Sequence, residues 1–80
     1  MTQFKSGARY SGKIDNLIVV LLPSMHPGHH YVRLVSWNND NPRVDVTPNP
    51  VFSDYVSTLL RQKGFDVDRA HWREYKDTTT

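Results

Sequence analysis

The sequence predicts an α+β fold, with an antiparallel sheet of three to four strands packed against one main helix and a short C-terminal helix beside it. Three observations carry the prediction. Residues 8 to 14 and 29 to 37 alternate with a period of two, as half-buried strands do. Leu17 to Leu22 is an unbroken apolar run, β-branched at Ile18, Val19 and Val20, that stops at Pro23. After Asn49-Pro50, the residues Phe52, Tyr55, Val56, Leu59 and Leu60 recur at spacings of three and four, the spacing of a helix stripe.

In the first strand Tyr10, Gly12 and Ile14 share one face, while Arg9, Ser11 and Lys13 share the other. Asp15-Asn16 reads as a tight turn. The run from Leu17 is too short for a buried helix and makes a central strand. Two prolines and Gly28 mark residues 23 to 28 as a loop. The third strand then sets Tyr31, Arg33, Val35 and Trp37 against His30, Val32 and Leu34. Residues 38 to 42 (Asn-Asn-Asp-Asn-Pro) suit a turn, and Val44 and Val46 alternate with Arg43, Asp45 and Thr47 in a short edge strand. Asn49 can cap a helix that Pro50 starts and that runs to Lys63, where Gly64 stops it and Phe65 folds back. Asp66 or Asp68 caps a second helix from about Arg69 to Lys76, and Thr78 to Thr80 is a frayed tail.

Eighty residues make a single domain spanning 1–80. Nine aromatics and nine valines are enough for one core. At this length such a core supplies only about 3–5 kcal/mol, and with no cysteine there is no disulfide to staple it. The lack of cysteine fits a cytoplasmic, soluble protein. No apolar run approaches the roughly 20 residues that span a bilayer, and the first residues lack a signal peptide's apolar stretch, so neither membrane insertion nor general export is expected. Ten Lys and Arg stand against eight Asp and Glu, a charge of +2 that favours phosphate binding only if the cations gather on one face. Seven of the eight acids are Asp, which serves turns and helix starts, so acidic mimicry of DNA is not expected.

Two clusters hold residue types capable of chemistry. His26, His29 and His30 lie close in sequence, but adjacent strand residues point to opposite faces and no Cys, Asp or Glu stands nearby to complete four ligands. They read as a solvated loop, and no metal is expected. Asp68, His71 and Glu74 would share one face of a helix, yet a helix of two turns at the end of a small chain builds no pocket to tune them. Phosphate loops, dinucleotide fingerprints, nucleophile elbows and His-Glu-x-x-His zinc motifs are absent. No catalytic residue and no cofactor is therefore assigned, and the chain is expected not to be an enzyme.

What remains are binding surfaces. Tyr31, Arg33 and Trp37 on the third strand, with Arg69, Trp72, Arg73 and Lys76 on the C-terminal helix, are of the types enriched in interface hot spots. The sequence thus points to a non-catalytic protein-binding module, an inhibitor or adaptor docking on a larger protein or nucleoprotein complex, with a homodimer as a further option. In size and in lacking catalytic motifs it resembles the small accessory proteins of phages, anti-defence inhibitors included. The alternative is nucleic-acid binding through Arg9, Lys13, Arg33, Arg69, Arg73 and Lys76, with bases stacked on the interleaved aromatics. Two short stretches are similar to known folds. Leu59 to Ala70 resembles a helix-turn-helix, with Lys63 where that motif takes an apolar residue, and Tyr10 to Ile14 is similar to a strand of Sm-like or SH3-like barrels. Neither stretch assigns a family.

Overall fold

A computed structural model describes residues 4–38 and 40–75. The chain forms β1 (Arg9–Ile14), β2 (Leu17–Pro23), β3 (His29–Asn38), β4 (Asn41–Val46) and β5 (Val51–Phe52). A 3-10 turn, Ser53–Tyr55, leads into α1 (Val56–Gln62), and β6 (His71–Tyr75) follows. All strand pairs are antiparallel, in the order β4-β3-β2-β1-β6, with β5 on β3. Strand makes up 51% and helix 14% of the described residues, so the fold is a sheet with one short helix and not the expected α+β arrangement under a main helix. Among the described residues no helix is long and apolar enough to cross a membrane.

The first three strands run where the alternation puts them, because side-chain period and local turn chemistry act within each hairpin. Asp15 takes a positive φ of 46° at the β1–β2 turn, and Asp40 one of 65° before β4. The helical segments depart from expectation. The main helix expected from Pro50 to Lys63 begins only at Ser53, because Val51 and Phe52 pair with His30 and His29 along the edge of β3. That edge is shared: β4 takes its C-terminal half and β5 its N-terminal end. Between them the Thr47 amide donates to the Val32 carbonyl at 3.0 Å and the Thr47 hydroxyl accepts from the Val32 amide at 3.1 Å, which carries the pairing across the Pro-rich break. Gly64 ends α1 as expected from sequence. At φ 89° it lets its own amide reach the Arg61 carbonyl (3.1 Å) and the Phe65 amide reach the Leu60 carbonyl (2.9 Å), a Schellman closure that turns Phe65 into the core.

The C-terminal helix expected from Arg69 to Lys76 is instead strand β6, preceded by turns through Ala70. Asp66 accepts the Asp68 amide in one of these turns and caps no helix. The second helix suggested by the likeness to a helix-turn-helix is therefore missing. Lys76 and the threonine tail lie outside the described residues. A strand wins here because β1 would otherwise expose its edge amides and carbonyls, which β6 satisfies from Arg9 to Lys13. Gly12 makes the pairing fit: a Cβ at that position would lie 2.6–2.8 Å from three carbons of the Trp72 indole.

One face of the sheet carries the core. Tyr10, Val19, Leu21, Val32 and Leu34 from the strands meet Phe4, Val56, Leu60, Phe65 and Val67. Trp72 packs edge-on to Phe4 (4.8 Å) and Phe65 (5.9 Å), and its indole N–H donates to the Val67 carbonyl at 2.8 Å. The Tyr10 hydroxyl accepts the Lys5 amide at 2.8 Å. Burial pushes its pKa above 10.0 and the Glu74 carboxylate beside it adds to the rise, while the Lys5 hydrogen bond opposes both.

His30 is a polar residue packed with this core, not part of a solvated loop, and it is fully buried. Its Nε2 faces the Ala8 carbonyl at 2.8 Å and so carries the proton, leaving Nδ1 to accept from the Ser53 hydroxyl at 2.6 Å. The ring ties β3 to the start of β1 and to the turn that opens α1. His30→Leu keeps the volume but orphans both partners, at about 1–3 kcal/mol for each buried group. Urea denaturation should show that loss. A change within about 0.5 kcal/mol would mean that neither hydrogen bond matters to the fold.

Candidate functional site

The register of the strands builds the other face of the sheet. Across the five strands from β6 to β4, one row reads Arg73, Ser11, Val20, Arg33, Val46, and the next reads His71, Lys13, Ile18, Val35, Val44. Beyond the first row Tyr75 pairs with Arg9 and Leu22 with Tyr31, and beyond the second Trp37 pairs with Pro42. His29 and Phe52 stack at the end nearest β5, ring centroids 4.4 Å apart. None of these side chains is buried. Leu22, Tyr31, Trp37, Val44, Val46, Phe52 and Tyr75 are all exposed although apolar or aromatic. Such a gathering is unusual on a solvated surface, since isolated exposed apolar residues are ordinary and contiguous ones are not.

The face divides in two. Its β2–β3–β4 half is aliphatic and aromatic, with Arg33 at the centre. Its β1–β6 half carries Arg9, Lys13, Arg73 and His71. The strand acids belong to the opposite face: Glu74 sits beside Tyr10, and Asp45 forms an ion pair with Lys63. Among the described residues, the acids outside the strands lie in turns and loops or in the 3-10 segment. Arg73 lies over the Tyr75 ring, 5.5 Å from its centroid, so cation and aromatic stand together at the β6 border.

Of the residues singled out from sequence, Tyr31, Arg33, Trp37, Arg9, Lys13 and Arg73 meet on this one face. Arg69 stands apart in the turn before β6, paired with Asp15 at 3.5 Å. Trp72 lies on the opposite side of β6, partly buried and packed against the core. A basic helical stripe of Arg69, Arg73 and Lys76 does not exist, because Arg69 is in a turn and Arg73 in a strand. The Asp68, His71 and Glu74 set is scattered: Asp68 pairs with Arg61 at 3.1 Å, His71 is on the open face and Glu74 on the core face. His29 and His30 point to opposite faces, so they do not converge with His26 on one metal.

Sequence reasoning missed Ile18, Val20, Val44, Val46 and Tyr75 as members of the surface. A signal existed in β2, whose unbroken apolar run, Leu17 to Leu22, puts apolar side chains on both faces of the sheet. Shallow space at the β1–β2 turn is lined by Lys13, Ile14, Asp15, Arg69 and His71, at the basic end of the same face. No protein family, curated protein or solved structure matches this chain.

Proposed function

We propose that this protein is a non-catalytic docking module that binds a protein partner through the open face of its sheet, as a small inhibitor or adaptor would. The observation that supports this reading is the uncovered aliphatic half of that face, with Arg33 at its centre and Tyr31 and Trp37 on the same strand. Burying Ile18, Val20, Val35, Val44 and Val46 against a partner gains about 25 cal/mol for each Å² removed from water, and Tyr, Trp and Arg are the side chains that dominate protein interfaces. Nucleic acid suits the cations less well. Bases stack on rings, and here the rings stand at the corners while aliphatic side chains fill the middle.

The test is affinity capture from the source cell, analysed for protein and for nucleic acid. A partner protein should be retained by the native chain, survive nuclease treatment and be lost with Val35→Asp. That substitution should cost the fold about 1–2 kcal/mol, since the side chain is half-buried on the open face and outside the core, and a thermal melt of the variant should still show a folded chain. Recovery of nucleic acid alone, with a steep loss of affinity as salt rises, would replace this reading with the nucleic-acid one.

A further inference from the structure

We infer that the occupant of the open face is an amphipathic α-helix of the partner, lying over β2, β3 and β4 with an acidic flank above β1 and β6. The inference rests on the docking reading and adds the shape and charge of what binds. Three points lead to it. First, β2 and β3 have both edges paired along the face, so a ligand there meets side chains only. An extended peptide would press its own amides and carbonyls against valines with no partner, whereas a helix satisfies them internally. Second, the dimensions agree. Two strand spacings of about 4.8 Å make an apolar band about 10 Å wide, and the six steps from Tyr31 to Trp37 make it about 20 Å long. A helix is about 10–12 Å across with its side chains, and about 14 residues of it cover that length.

Third, the charge is one-sided. Lys13 and Arg73 border the apolar band along β1 and β6, and the strand acids among the described residues face the other way. Carboxylates on one flank of a docked helix would meet these cations, and Lys or Arg there would be repelled. A second copy of this chain fits poorly. Stacking the same face on itself would press each Arg33 into the partner's aliphatic half, where the described residues offer no carboxylate.

The experiment uses two fluorescent helix-forming peptides of about 18 residues, long enough to cross the band. Both carry the same Leu-rich face, and one flank is lined by Glu in the first and by Lys in the second. Binding to the full chain is followed by anisotropy, and the contact is mapped by amide chemical shifts. The Glu peptide should bind saturably and at least about tenfold more tightly than the Lys peptide, a difference of about 1.4 kcal/mol. Its shifts should centre on Val20, Arg33, Val35 and Val44. The double variant Lys13→Glu, Arg73→Glu should reverse the order of the two peptides. Equal binding of the two peptides, shifts centred on the core face, or concentration-dependent dimerisation through the open face would each overturn the inference. So would failure of both peptides. If both fail while Val35→Asp still abolishes partner capture, the helical occupant falls and the docking reading stands. If capture is also insensitive to Val35→Asp, both fall.

Discussion

Gly12→Val should unfold the domain or bring it to the edge of unfolding at room temperature. The new side chain would start 2.6–2.8 Å from the Trp72 ring. The indole has no easy retreat, since its N–H is bonded to the Val67 carbonyl and Phe4 and Phe65 pack edge-on against it. Overpacking of this kind costs about 1–3 kcal/mol where the site can relax and more where it cannot. A core of this size supplies only about 3–5 kcal/mol in all. Trp72→Ala removes the obstacle but also the packing, at about 3 kcal/mol for a large aromatic that is only partly buried. The decisive measurement is the double variant, by urea denaturation at low temperature. Because the two changes act on one contact, their combined cost should fall short of the sum of the single costs by about 1 kcal/mol or more. Strict additivity would mean that the indole does not lie on Gly12.

Leu60→Ala should cost about 2–5 kcal/mol, whereas Leu59→Ala should cost less than half as much. Both residues belong to the apolar stripe of α1, but Leu60 is fully buried and Leu59 only borders the core. The helix is seven residues long, so rotating it by one position would exchange the two effects. Leu60 also carries the carbonyl that accepts the Phe65 amide, and Phe65 is the largest fully buried side chain. Thermal melts of the two variants side by side test the orientation. A larger shift for Leu59→Ala would place the wrong face of α1 against the sheet.

The β1–β2 and β2–β3 hairpins, the stop at Gly64 and the inward fold of Phe65 were legible in the residues, because turn chemistry and strand period act over a few positions. So was much of the surface. Tyr31, Arg33 and Trp37 share a face by alternation alone, as do Arg9 and Lys13 on β1. Placing the two groups on the same side of one sheet took the register Val20 to Arg33 and Ser11 to Val20.

Other features belonged to tertiary structure. Phe52 fits the helix stripe by spacing and Val51 lies within the expected helix, yet the unpaired end of β3 draws both into a ladder, and a helix start so close to its cap has little cooperativity to resist. The stretch His71–Tyr75 is short enough to read either way, with Trp72 and Tyr75 together on one side at helical spacing but on opposite faces in a strand. The open edge of β1 and the space above Gly12 decide for the strand, and both are formed by residues some sixty positions away. That choice moves Trp72 from the surface to the core and Arg73 and Tyr75 onto the open face. Local pattern thus determined which residues share a side of each strand. Long-range pairing decided which side was left uncovered, because one short helix can cover only one face of the sheet.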